Sequence, residues 1–272
     1  MTNKDSFRLV GMLPREPLPE EPARGWRRYF RGKPVAAMAL LAVIGFCCLF
    51  AELMMTHDPT YLDLANANVA PNGEFLFGTD ALGRDLFSMI WYGGRVSLLV
   101  SILSIVFGLV VGGIIGVSAG YFGGVYDGVI MRVMDVIMAI PGFLLAVCIS
   151  SALGQGIFNT ALAIGIGCVP GYARLLRALV LGIRDQEYVE AARVTGASNA
   201  RIMFRQIVPN ILSPVIVDST LRIGGCILMI SSLSFIGLGV QPPTAEWGSM
   251  VAEGREVIRS FWPMSTFPGL AI

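Results

Sequence analysis

Five apolar stretches, at 34–55, 96–120, 129–153, 157–180 and 211–238, are each long enough to cross a hydrocarbon core about 30 Å thick at about 1.5 Å of rise per residue. Inside such a core no water satisfies backbone N–H and C=O groups, so each stretch must close its own hydrogen bonds as a helix. A sixth apolar segment begins near Phe261, where the twelve remaining residues make about 18 Å of helix, short of a crossing. The expected fold is an all-α membrane protein, a polytopic helical bundle of about six transmembrane helices with the last one incomplete in this chain. Composition agrees: 54% hydrophobic and 14% charged residues, with a mean hydropathy of +0.68, lie outside the range of soluble globular domains. The first apolar run follows roughly thirty polar residues and is of full span length, which argues against a cleavable signal peptide.

Lysine and arginine placement orients the bundle. Fifteen of the 20 fall on one side: eight in the tail from Lys4 to Lys33, Arg132 after the second span, and Arg174, Arg177, Arg184, Arg193, Arg201 and Arg205 around one loop. Only Arg84, Arg95, Arg255 and Arg259 lie opposite, and Arg222 sits within a span. By the positive-inside rule the N-terminus and the loop at 181–209 are cytoplasmic. The domain plan is then a tail (1–33), a first transmembrane helix (34–55), an extracytoplasmic segment (56–94) and a membrane core (95–272). Within the tail, the Pro- and acid-rich residues 1–22 read as disordered. Trp26, Tyr29 and Phe30, opposite Arg27, Arg28 and Arg31, read as an amphipathic helix in the membrane interface.

The loop carries Tyr188-Val189-Glu190-Ala191-Ala192-Arg193-Val194-Thr195-Gly196, with Pro209-Asn210 further on. Tyr188, Ala191, Ala192 and Thr195 fall on one face of a short helix, a slim surface suited to another protein's groove. Gly196 is placed to end that helix in a left-handed cap. Ser198 or Asn199 then starts a second short helix through Arg201, Phe204 and Arg205, and Pro209 closes the unit before the next span. In Glu190, Ala191, Ala192 and Gly196 the chain resembles the permease subunits of ATP-binding cassette (ABC) importers, whose cytoplasmic Glu-Ala-Ala loop fits a cleft of the ATPase. It departs at Gln206, where the family usually has isoleucine; Ile207 is adjacent.

Further stretches resemble one branch of that family, the dipeptide and oligopeptide permeases, which also includes glutathione and nickel systems. They are Phe77-Gly78-Thr79-Asp80-Ala81-Leu82-Gly83-Arg84-Asp85, the glycine-rich run from Gly120 to Gly124, Met131-Arg132 through Asp135 to Pro141, Ser234-Phe235-Ile236-Gly237-Leu238-Gly239, and Gln241-Pro242-Pro243 through Trp247-Gly248. The resemblance covers about residues 30–272. It implies the ABC importer permease fold, alternating access, and no catalysis in this chain. ATPase coupling would fall to Tyr188, Glu190, Ala191, Ala192, Arg193 and Gly196. The implied partners are a second homologous permease, two ABC ATPase subunits that bind ATP and Mg, an extracytoplasmic substrate-binding protein and the lipid bilayer of the prokaryotic inner membrane. No cofactor of its own and no nucleic acid are implied. Di- or oligopeptide is the expected cargo, with glutathione or nickel as alternatives.

An ion-coupled secondary transporter predicts inverted repeats and several midplane carboxylates, and neither is visible here. An intramembrane enzyme needs a nucleophile–base pair or metal ligands in the spans. The chain has one histidine, no His-Glu-x-x-His, and no P-loop.

Within the spans, Asp218 and Arg222 stand four apart on one face, either as a structural pair or as lining of the translocation path. Asp135 lies beside Arg132 near the cytoplasmic end of its span, where capping or loop pairing is expected ahead of substrate contact. Gly108, Gly112, Gly116, Gly120 and Gly124 form a side-chain-free ridge for close helix approach. Pro141-Gly142 and Pro170-Gly171 are expected to kink their helices. Gly78-Thr79-Asp80 suggests a turn and a helix cap, Arg84 and Asp85 a local pair, and Trp247 an interfacial aromatic. The five cysteines lack Cys-x-x-Cys spacing and read as packing residues, and His57 reads as an interfacial histidine.

Overall fold

The structure, a computed structural model, describes residues 35–272. The tail at 1–33, with its expected interfacial helix, lies outside the described residues. The chain divides into two units, Met1–Phe46 and Cys47–Ile272. Of the first, the described part lies in α1 (Val35–Leu49), an uncharged apolar helix.

Every regular element of the second unit is a helix. After the end of α1 come α2 (Ala51–Met54) and a loop with a single 3-10 turn at Leu64–Asn66. The long α3 (Leu86–Phe122) leads through Gly123 into α4 (Gly124–Met138) and α5 (Gly142–Leu153). Next are α6 (Ile157–Ile183), the short α7 (Glu187–Val194) and α8 (Asn199–Ile202). A π-turn at Met203–Ile207 joins α8 to α9 (Val208–Phe235), and α10 (Trp247–Glu256) and α11 (Pro263–Ala271) follow. Among the described residues three stretches are long and apolar enough to cross a membrane: α3, α6, and the continuous run Asn199–Phe235; α4 and α5, taken as one broken span, make a fourth.

The core is built on α3 against α6, and the glycine ridge makes it possible. A Cβ added at Gly112 would lie 2.5 Å from the Val169 carbonyl oxygen, and one at Gly116 would lie 2.3 Å from that of Ala173. At Gly108 the obstacle is Cys168 Cβ at 2.6 Å, and at Gly120 it is Val180 Cβ at 2.9 Å. Four glycines one turn apart thus let backbone meet backbone, the small-residue solution for helices that gain nothing from hiding apolar surface from lipid. Gly124 does not join them: it lies past the helix end at φ +60°, with open space around it. On the opposite face of α3, Leu99, Ile102, Val106, Val110 and Ile114 are exposed at helical spacing, a surface suited to lipid.

The expected third span is broken rather than kinked. Pro141 lacks an N–H and forces Ile140 away from helical geometry, so α4 and α5 meet at 83°. Pro170, by contrast, lies inside a continuous α6. Pro209 does not close the loop unit. The chain winds through it from Asn199 to Phe235, because the wider π-turn just before it relieves the clash between the proline ring and the carbonyl four residues back.

At the Leu86 end of α3 a buried polar network ties the loop to α10. Asp80 accepts from the backbone N–H groups of Leu82 and Arg84, both at 2.8 Å, and from Arg84 Nε at 2.6 Å. Arg84, 3% exposed, also donates to Glu253 at 3.3 Å. Asp85 does not pair with it. It caps α3 instead, accepting from the Ser88 N–H at 3.1 Å and from the hydroxyls of Ser88 (2.6 Å) and Thr56 (2.7 Å). Glu246 caps α10 and accepts from Ser97 of α3 at 2.9 Å. Trp247 is buried rather than interfacial: its indole N–H donates to the Ile90 carbonyl at 2.8 Å, over Gly94, whose missing side chain makes room for the ring.

Burial holds the Glu253 carboxyl above the usual glutamate value, with Arg84 pulling the other way and Asp80 adding to the rise. A raised folded-state value means that this group's contribution to stability is complete below the ordinary 4.5 and is lost as pH rises through the folded value. Melting the purified protein in detergent across pH 4 to 8 should therefore show a fall that Glu253→Gln, which keeps the acceptor for Arg84, flattens. A profile that is the same in both proteins would contradict the assignment.

Candidate functional site

The loop between α6 and α9 folds as its residues dictate. Glu187 and Glu190 stand in the first turn of α7 and Arg193 in the last, each sign matching the helix dipole. At its end the Gly196 N–H bonds the Arg193 carbonyl at 3.0 Å and the Ala197 N–H bonds that of Ala192 at 3.1 Å. With Gly196 at φ +78° this is a Schellman stop, as the glycine predicted. Ser198 caps α8 by accepting from the Arg201 N–H.

Which face of α7 is free differs from the sequence reading. Val189 is fully buried, and Tyr188, Ala192 and Ala197 pack beside it on a cluster that includes Tyr121, Val180, Ile202 and Ile207. The outward face carries Glu187, Glu190, Ala191 and Val194, the last 87% exposed. Tyr188 and Ala192 thus hold the helix to its own protein, and the Thr195 hydroxyl is satisfied by the Ala191 and Ala192 carbonyls.

The unit is anchored to the far end of α3. Tyr121 donates its hydroxyl hydrogen to Asn199 Oδ1 at 2.9 Å, and the Arg193 guanidinium lies 5.4 Å from the Tyr121 ring centre. Arg184 Nη1 donates to the Gly120 carbonyl at 3.0 Å, and Asn210 bonds the Tyr188 hydroxyl at 3.3 Å. Nothing in the sequence motif marks Tyr121 as an anchor, because its partners are 72 and 78 positions away in the chain. Beside this unit, Asp127 of α4 takes a two-pronged bond from Arg177 of α6. Asp135 pairs with Arg174: α4 lies along α6, which brings that arginine within reach.

Asp218 and Arg222 do pair, Nε to Oδ2 at 2.5 Å, and both side chains are about two-thirds buried. Arg222 lies about 21 Å along α9 from Val208 and about 20 Å from Phe235, the middle of the span. Its guanidinium covers the ring of Tyr172 on α6, 4.7 Å from the centre, and the Tyr172 hydroxyl bonds Ser219 at 2.9 Å. A charge at this depth needs a partner and a polar or wet setting, and the acid, the ring and the hydroxyls supply it.

Residues 108–272 match the family described as the binding-protein-dependent transport system inner membrane component. The chain is 41% identical to the di/tripeptide transport system permease protein of Pseudomonas aeruginosa, over 91% of this chain and 84% of that one. It is also 41% identical to the glutathione transport system permease protein of Shigella flexneri, over 91% and 82%. Among solved structures, it resembles a chain of a methionine ABC transporter in an inward-facing conformation. The TM-score is 0.56 over 67% of this chain and 87% of that one; at 18% identity the likeness speaks for the fold alone.

Proposed function

Because this chain belongs to the inner membrane components of binding-protein-dependent transport systems, and is thus a multi-pass membrane transport component, we propose that it is one of two related permeases of an ATP-driven peptide importer. The 41% identity to a di/tripeptide permease, sustained over nine-tenths of the chain, carries this reading. The equal identity to a glutathione permease supports a second cargo of the same chemistry, since glutathione is itself a tripeptide. The N-terminus and α7 face the cytoplasm, as the lysine and arginine placement argues. Two separate ATPase subunits bind ATP and Mg and hydrolyse the nucleotide, and a substrate-binding protein docks at the opposite side.

Coupling runs through α7. Its outward face of Glu190, Ala191 and Val194 meets the ATPase, while Tyr188, Ala192, Arg193 and Gly196 fix how it is presented. Because Tyr121 binds both Arg193 and Asn199, a push on α7 reaches α3 as a rigid displacement. Asp218 and Arg222 line the path. The test is affinity purification from native membranes in mild detergent. A P-loop ATPase and a second permease should co-purify, and a cysteine placed at Ala191 should crosslink to the ATPase. Recovery of this chain alone, with no crosslink, would move the assignment to a secondary carrier.

A further inference from the structure

Arg222 is held by part of its side chain and leaves the rest unused. Nε is committed to Asp218 and the planar face to Tyr172. Among the described residues neither Nη1 nor Nη2 donates a hydrogen bond. The Gly171 backbone of α6 faces this end of the side chain: an added Cβ there would lie 3.1 Å from Nη1 and 3.5 Å from Nη2. Close by, Gly225 stands one turn beyond Arg222 on α9 and Gly167 one turn before Gly171 on α6, and a Cβ at either would meet nothing within 4 Å. Two adjacent N–H edges in a rigid plane are what a carboxylate needs for a two-pronged bond.

We propose that Arg222 is a carboxylate-binding fork in the translocation path, engaging the C-terminal α-carboxylate of a passing peptide through Nη1 and Nη2. The inference rests on the peptide-import reading. Asp218 is the positioning residue: it fixes the azimuth of the guanidinium through Nε and partly neutralises it, which keeps the bond weak enough for cargo to leave. Gly171 keeps side-chain atoms away from the two donors.

The experiment uses the complete transporter with its binding protein and ATPases in liposomes. Uptake of a dipeptide and of the same dipeptide with a C-terminal amide is measured for the parent, Arg222→Gln and Gly171→Ala, each at saturating cargo. Expressing each variant relative to the parent, substrate by substrate, removes the binding protein's own preference. Arg222→Gln should lower free-acid uptake by about tenfold or more and amide uptake by less than about twofold. Gly171→Ala, whose methyl would stand 3.1 Å from Nη1 and crowd the fork while leaving the charges in place, should move the ratio in the same direction, and it decides the matter if Arg222→Gln fails to assemble. Equal loss for both substrates, or no loss for either, overturns the fork and leaves the importer reading standing. A parent complex that carries neither peptide overturns the importer reading for peptides, and the fork with it.

Discussion

Gly116→Leu is expected to yield no monodisperse protein, and Gly116→Ala to lower the melting temperature measurably. Even the single methyl of alanine would sit 2.3 Å from the Ala173 carbonyl oxygen and 2.9 Å from its carbonyl carbon and Cα. These are backbone atoms, which cannot swing aside as a side-chain tip does. Relief requires α3 to lift from α6, and that strips contacts along a seam held by Gly108, Gly112 and Gly120 as well. Overpacking of this kind costs about 1–3 kcal/mol when the intrusion is small, and a leucine brings far more volume. The control is the neighbouring Gly113→Ala, whose methyl would meet only Leu176 Cδ1 at an ordinary 3.8 Å. It should be neutral or better, since alanine favours a helix by about 1 kcal/mol. Fluorescence-detected gel filtration and thermal melting in detergent read all three. Unchanged behaviour of Gly116→Leu would mean the seam is not packed as described.

Ala191→Arg should abolish transport while leaving the permease folded. The Ala191 side chain faces outward on α7, so under the proposed coupling a long cation there meets the ATPase rather than its own protein. A central contact of this sort is worth about 2–4 kcal/mol, so uptake should fall by about 30-fold or more, with less ATPase recovered on purification. Ala192→Arg makes the contrast. Ala192 packs against the cluster around Val189, so the same substitution should lower the melting temperature as well. Equal transport by Ala191→Arg and the parent would remove α7 as the coupling element.

These contrasts show what was legible in the sequence and what was not. The glycine ridge, the Gly196 stop and the Ser198 cap were visible because each is a local rule, satisfied within a turn or two of chain. The partners of charged and aromatic groups were not. Arg84 has Asp85 beside it in sequence, yet turns to Asp80 and to Glu253, 169 positions away. Trp247 reads as an interfacial ring until its donor finds the Ile90 carbonyl, 157 positions distant. Asp135 bonds an arginine on a different helix. The outward face of α7 was assigned from spacing alone. Spacing tells which residues share a face, and only the packing of Val189 says which side is free.

The winding at Met203–Ile207 has an effect well beyond its own five residues. A turn closed by i→i+5 bonds takes up one residue more than an α-turn, and one residue of α-helix is about 100° of rotation. Everything beyond the turn is therefore set at a different angle from the one a uniform helix starting at Asn199 would give. Asp218 and Arg222, the only charged side chains of α9, lie about three and about four turns further on and inherit that phase. The heading of the arginine toward Tyr172 and Gly171 is thus fixed at the base of the helix, beside α7 and α8, much as the thread of a screw fixes where its slot comes to rest.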